Sequence, residues 1–331
     1  MKIKTLTYFI FFSFCATYLF AQQTPSYTQF VFNQYGSNPA YAGTNLGMEV
    51  VTGRRIQWLG FDNAPVTTFG SFTYAWRKNF NYRAKHAIGA YVEDDRAGLF
   101  SSKAAYVSYS IHFKIFTGLN IAAGIFAGVR QVGLANALYD PNDPALNDLK
   151  SNTSLLTVYP DIIPGMRFYT KKLFIDVSVR QLYKNELQQT SLINGSTKQI
   201  GSPATKLDPT YTFVIKRKIP LGNNIWMLTP ALKVQSTYKA IPLVDANIML
   251  FYDRRVGVGA SLRGNSFVSA IFQVRFLKNI VAGFGYDYTI GKLHTAAANT
   301  VEVMLSFTPG GGGDDKNVGS RSVANCPDFS Y

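Results

Sequence analysis

The chain has 331 residues, a formal net charge of +14 and 15% aromatic residues, with Tyr (20) and Phe (25) supplying nearly all of them. Its Lys and Arg are scattered along the chain and form no basic patch on a recognisable soluble fold, which argues against nucleic acid. Of its two cysteines, Cys15 falls in the leader described next and Cys326 near the end, so an intramolecular disulfide and a multi-cysteine zinc site are excluded for the processed chain.

The first residues have the three parts of a secretory (Sec-type) signal. Lys2 and Lys4 are the charged region, Leu6 to Phe20 is almost wholly apolar, and Ala21 precedes Gln22, the expected cut. Leu19 departs from the small residue preferred three positions before the cut. A lipoprotein reading through Cys15 is poor, because Phe14 precedes it, and a retained anchor helix is the other reading. Removing 1–21 lowers the formal charge from +14 to +12. The domains expected are 1–21 leader, 22–308 one large β-domain, and 309–331 a Gly-rich tail.

Residues 22–308 read as short alternating strands. Fourteen are expected, at about 46–55, 65–76, 85–94, 101–114, 118–132, 160–170, 173–184, 207–219, 224–238, 243–253, 255–263, 266–277, 279–290 and 299–308. Most are near the ten residues that a tilted membrane strand needs. Period two is clear where Val107, Tyr109, Ile111 and Phe113 oppose Ser108, Ser110, His112 and Lys114. It recurs where Leu173, Ile175, Val177 and Val179 oppose Asp176, Ser178 and Arg180, and where Val301, Val303, Leu305 and Phe307 oppose Glu302 and Ser306. One face then meets lipid and the other a polar interior.

With both barrel ends periplasmic, the two longest connections, 133–159 and 185–206, fall outside. The short turns Phe116–Gly118, Lys171–Lys172, Asp253–Arg255 and Lys278–Asn279 fall inside. That asymmetry, a secretory leader and the absence of a later apolar helix predict an all-β, closed antiparallel outer-membrane barrel of about fourteen strands. Near-zero mean hydropathy fits, since lipid-facing and lumen-facing residues cancel. A soluble sandwich or propeller is the alternative. The basic residues read as lumen, turn and headgroup charges, with anionic lipopolysaccharide an expected contact.

Chemistry is sparse. His86, His112 and His294 lie on different elements without a hydrolase or zincin motif. Glu93, Asp94 and Asp95 read as a solvated acidic cluster at an outer strand end, countered by Arg96. Asp140-Pro141-Asn142-Asp143 with Asp148 lacks the EF-hand glycine. Gly257 and Gly259 read as tight-packing positions in the wall. No catalytic residue, cofactor or metal is assigned. After Pro309 and Gly310–Gly313, a polar tail ends in Phe329-Ser330-Tyr331; it reads either as a disordered end or as a periplasmic peptide that docks a partner or plugs the lumen, with Phe329 and Tyr331 the anchors.

The specific block comes first in the processed chain. It runs Tyr27-Thr28-Gln29-Phe30, Phe32-Asn33-Gln34, Asn38-Pro39-Ala40-Tyr41-Ala42-Gly43, then Gln57-Trp58-Leu59-Gly60-Phe61-Asp62-Asn63-Ala64-Pro65. It resembles the PorP/SprF family of Bacteroidota, whose members carry FN…NPAYAG followed by QW-x-GFD-x-AP. Weaker similarity continues at Asp95-Arg96-Ala97-Gly98, Pro164-Gly165 (taken as opening the sixth strand), Asp245-Ala246-Asn247, Val256 to Ser261, Gly285-Tyr286-Asp287-Tyr288, and Glu302-Val303 to Phe307. The resemblance implies a fourteen-stranded, non-enzymatic outer-membrane barrel of the type IX secretion system. It further implies partners among that machinery and among secreted proteins with type B C-terminal domains, gliding adhesins included. A porin-like channel for small solutes is the alternative function. Asn38 to Gly43 is turn chemistry, placed on the periplasmic side or tucked into the lumen as a plug. Gln57 to Pro65 lies outside, where Trp58 and Phe61 either fold over the mouth or meet a partner.

Overall fold

The computed structural model describes residues 25–76, 84–98, 100–116, 118–134, 156–183, 186–187, 190–193, 196–199, 205–206, 208–222, 225–237, 240–264, 267–277, 279–290 and 299–309. The leader, most of both long connections, Asp140 to Asp148, Lys278, His294 and the tail with Cys326, Phe329 and Tyr331 lie outside the described residues.

Strands β1 (Gly47–Ile56), β2 (Val66–Trp76), β3 (Ala84–Ala97), β4 (Phe100–Phe116), β5 (Leu119–Leu134), β6 (Leu156–Tyr169) and β7 (Leu173–Arg180) form the first half of the wall. Four short strands, β8 (Glu186–Leu187), β9 (Thr190–Ile193), β10 (Ser196–Gln199) and β11 (Thr205–Lys206), pair among themselves in the connection that follows. The second half is β12 (Thr210–Arg217), β13 (Ile219–Leu221), β14 (Trp226–Thr237), β15 (Leu243–Tyr252), β16 (Val256–Arg263), β17 (Phe267–Leu277), β18 (Ile280–Thr289) and β19 (Thr300–Phe307). β12 and β13 keep one register against β14, so they are a single wall strand interrupted at Lys218. Neighbours in sequence pair antiparallel all the way round. β12 joins β7 to β14, and β1 pairs with β19 from Val50↔Phe307 to Ile56↔Val301. The result is a closed barrel of fourteen wall strands with no open edge between first and last.

Alternation sorts the side chains as period two requires. In β19 the outward set Val303, Leu305 and Phe307 is exposed, while Glu302, Met304 and Ser306 are buried. In β4 the exposed Val107, Tyr109 and Phe113 oppose the buried Ser108, Ser110 and His112. Exposed Phe72, Tyr74, Val129, Phe213, Ile248, Phe272, Phe284 and Tyr286 continue this apolar outer surface round the wall. It is the inverse of a soluble protein and suits a hydrocarbon solvent. Among the described residues no helix is long and apolar enough to cross a membrane.

Short turns gather at one end of the barrel (the turn end) and the connections 135–155 and 181–209 leave from the other (the loop end). This is the predicted asymmetry. Three expectations are corrected. β6 starts at Leu156, so Pro164-Gly165 lies mid-strand and does not open it. A proline is tolerated there because β6 pairs with β7 only from Gly165 onward. β7 ends at Arg180, where Gln181 takes a left-handed φ of 56°. Finally, the Glu93–Asp95 cluster is split by the pleat. Asp94 faces out and pairs with Arg96 at 2.9 Å, whereas Glu93 points inward and is 4% exposed.

Candidate functional site: a plugged lumen and a loop-end face

The segment ahead of β1 fills the barrel. From Tyr27 to Ala42 almost every side chain is buried. Its conformation follows from its residues. Asn33 caps a one-turn helix, Gln34–Ser37, by accepting from the Gly36 N–H at 3.1 Å. Asn38 is extended, as the residue before a proline must be, and its Oδ1 accepts from the Ala40 N–H at 2.9 Å to cap a 3-10 turn, Pro39–Tyr41. Gly43 follows at φ 88°, where a Cβ would press on Ala87 and His112. The Asn-Pro-Ala-Tyr-Ala-Gly run is therefore a compact knot inside the lumen. Of the two places the sequence allowed, the plug is the one occupied.

Wall residues receive the plug through three polar nodes and an aromatic column. Near the loop end, Glu302 accepts from the Thr28 and Gln29 backbone N–H groups at 3.0 and 2.8 Å, and the Thr28 hydroxyl donates to Asp287 at 2.6 Å. Arg55 ties this node together, reaching Asp287 at 2.8 Å, Glu302 at 3.2 Å and Thr28 at 2.9 Å. Beside it, Asp245 is held by Lys233 and Arg263, both at 2.8 Å. Ser26 bonds to Lys233 at 2.9 Å and more weakly to Asp245 at 3.3 Å. Toward the turn end, Arg167 grips Asp176 with two bonds of 2.6 and 2.8 Å. It also donates to Gln34 and Thr44 and lies over the Tyr41 ring at 4.8 Å. Charged groups this deeply buried are tolerated only when paired.

Between the nodes, Tyr27 packs on Phe69 (5.0 Å) and Tyr35 on Phe126 (4.8 Å), and Tyr91 and Tyr106 extend the column. Tyr27 and Tyr91 donate to Glu93 at 3.3 and 2.9 Å, and Arg130 pairs with the same carboxylate at 3.4 Å. Glu93 is thus a lumen anchor and not a solvated acid. Inward glycines make the room. A Cβ on Gly124 would lie 2.6 Å from the Ala40 nitrogen, one on Gly165 would overlap Asn38, and one on Gly89 would overlap the Tyr35 hydroxyl. A Cβ on Gly257 would overlap the Phe251 ring and one on Gly259 would overlap Met249, so both are tight-packing positions, as their sequence suggested. His112 is a lumen residue bonded to the Ala42 carbonyl at 2.6 Å and to the Tyr169 hydroxyl at 2.9 Å. His86 is on the outer face beside Trp76 and Tyr109.

At the loop end, Gln57 to Pro65 connects β1 to β2. The Gln57 N–H donates to the Pro65 carbonyl at 2.8 Å, and the Leu59 N–H to Asn299 at 2.8 Å, folding the loop toward the start of β19. Trp58 takes φ 57° and is half-buried, and its buried indole N–H has no hydrogen-bond partner among the described residues. Gly60 supplies φ 91° for the turn. Asp62 is exposed, and Phe61 is 54% exposed. The two aromatics differ in exposure: Trp58 is half-buried, with its backbone N–H donating to the Thr300 hydroxyl at 3.4 Å, and Phe61 projects.

A closed barrel with an apolar exterior and a filled, charge-latched lumen is an outer-membrane protein. The family model for the type IX secretion system membrane protein PorP/SprF matches residues 19–307, and the chain belongs to that family. It is a non-enzymatic outer-membrane component of that system. No curated protein matches the chain. Among solved structures it is similar to the Ralstonia pickettii toluene transporter TbuX, at 12% identity and a TM-score of 0.52. That alignment covers 83% of this chain and 92% of TbuX. The P. putida toluene transporter TodX aligns at 10% identity and a TM-score of 0.46, over 82% and 92% of the two chains. At these identities the likeness to TbuX concerns the fold alone, and the likeness to TodX carries no argument.

Proposed function

We propose that this barrel binds, exports or anchors a secreted cell-surface protein carrying a type B C-terminal domain, such as a gliding adhesin, with the loop end as its docking face. The observation that carries the reading is the plug: a lumen occupied from Tyr27 to Ala42 leaves the faces as working surfaces. The exposed Phe61 ring supports a partner contact there. Outward Arg54 and Lys103, near the loop end, suit anionic lipopolysaccharide. The tail, anchored by Phe329 and Tyr331, couples the opposite face to periplasmic machinery. The leader is removed after Ala21, which mass measurement of the purified protein tests. For the function, the test is purification from native outer membranes in mild detergent, followed by mass spectrometry. A large secreted protein with a C-terminal type IX signal is expected, and a barrel that repeatedly emerges alone refutes the reading. The porin-like alternative predicts large stable channels in planar bilayers, and the plug argues for silence.

A further inference from the structure

The plug has a direction. Its partners, taken in chain order, descend the barrel from the loop end to the turn end. Ser26 is held at the loop end, by Asp245 near the start of β15 and by Arg263, the last residue of β16, which donates to the Ser26 carbonyl at 3.3 Å. Thr28 and Gln29 meet Glu302 and Asp287, each close to the loop end of its strand. Tyr35 bonds to Ser108 at 2.6 Å, the midpoint of β4. Tyr41 then donates to Glu49 at 3.2 Å, and Lys85 donates to the Thr44 carbonyl at 2.9 Å. Glu49 and Lys85 are close to the turn-end starts of β1 and β3. The chain reverses at Gly47, also with positive φ, and climbs as β1.

An even number of wall strands brings both ends of the wall to the turn end, and β19 does finish there, with the Thr308 N–H donating to Asn279 at 2.9 Å. The plug adds one more crossing. Among the described residues the chain therefore passes the barrel an odd number of times, and Pro25 and Pro309 lie at opposite ends of it.

We propose that the amino end of the processed chain stands on the cell-surface side of the outer membrane, as part of the face that a secreted partner meets, while the carboxyl end stays periplasmic. This rests on the orientation used above, with the long connections outside. Three anchors of the plug's outer part, Ser26, Thr28 and Gln29, then lie within one short stretch below that surface. A partner gripping the amino end is connected through the plug to the periplasmic mouth.

The test uses the full-length chain with Cys15→Ser and Cys326→Ser and one new cysteine at a time, labelled on intact cells with a membrane-impermeant maleimide. Asn63→Cys reports the loop end and Lys171→Cys the turn end, both at exposed positions. Pro25→Cys reports the plug's outer end. The expected result is that Pro25→Cys labels on intact cells as Asn63→Cys does, and Lys171→Cys only after the outer membrane is permeabilised. Labelling of Pro25→Cys only together with Lys171→Cys overturns the inference while leaving the orientation intact. If Lys171→Cys labels on intact cells and Asn63→Cys does not, the orientation fails and the inference with it. Because Pro25 is half-buried, an epitope inserted directly ahead of it and probed by antibody on intact cells decides the case in which the thiol reacts in neither condition. Antibody binding supports the proposal, and binding only after permeabilisation refutes it.

Discussion

Replacing Arg55 is the sharpest probe of how the plug is held. The guanidinium reaches the Asp287 and Glu302 carboxylates at 2.8 and 3.2 Å, and both acids have side chains 1% exposed. Arg55→Ala leaves the two carboxylates to the Thr28 hydroxyl and the Thr28 and Gln29 backbone N–H groups. A charge pair about 4 Å apart at an effective dielectric of about 20 is worth about 4 kcal/mol. Breaking one side of a buried pair measures about 3–5 kcal/mol elsewhere. Part of that loss falls on the wall, since Arg55, Asp287 and Glu302 belong to β1, β18 and β19, the closing seam. The remainder falls on retention of residues 26–29. Detergent-solubilised Arg55→Ala is therefore expected to unfold at a clearly lower denaturant concentration. Limited proteolysis should nick it ahead of Phe30 before the wall opens. The penalty comes from stranded negative charge, so Arg55→Ala combined with Asp287→Asn and Glu302→Gln should regain most of the loss. An Arg55→Ala variant as stable as the parent refutes the reasoning. So does a triple variant weaker than the single one, which would mean that the carboxylates act through geometry and not through charge.

Gly124→Leu places a side chain where the Ala40 nitrogen would lie 2.6 Å from its Cβ, without touching the lipid face. Overpacking of this kind costs about 1–3 kcal/mol; the expected outcome is a displaced plug and conductance in planar bilayers, whereas the parent stays silent. Phe61→Ala removes a ring that is already 54% exposed, so stability should move by less than about 0.5 kcal/mol. Recovery of the secreted partner in pull-downs should still fall several-fold if the ring is an interface anchor. Val303→Arg puts a charge on the outer face at the middle of β19 and should destabilise the folded barrel in bilayers by about 2–4 kcal/mol. The same change at Ile241, 94% exposed in the connection between β14 and β15, should be nearly neutral, and equal effects at the two sites would refute the lipid-facing assignment. Truncation after Thr308 should leave the heat-modifiable gel shift of the barrel unchanged and, if the tail couples to machinery, lose periplasmic partners in pull-downs.

The wall was legible in the sequence because its rule is local. A strand's two faces are set by its own pleat, so Val303, Leu305 and Phe307 announce an outer face and Glu302 and Ser306 an inner one without knowledge of any neighbour. Strand number, the short turns at one end and the packing role of Gly257 and Gly259 followed from the same local signals. The motif residues Asn38, Pro39, Tyr41 and Gly43 were also visible, together with their turn chemistry. Their destination was not, because nothing in a turn says which surface it will pack against. Only barrel closure decides that, by bringing Glu302 to Thr28 across 274 positions of chain and Asp245 to Ser26 across 219. The same closure turned Glu93 from an apparent member of an acidic cluster into the acceptor of Tyr27 and Tyr91, and it gave Gly89, Gly124 and Gly165 their reason to lack a side chain. It also set the direction of the plug. A single segment carries no vector of its own inside a cylinder until the charges near the loop end of the wall select one end of it. What the sequence determined was the solvent of each face; what the tertiary structure decided was the content of the lumen, because that depends on contacts between residues hundreds of positions apart, which no local pattern encodes.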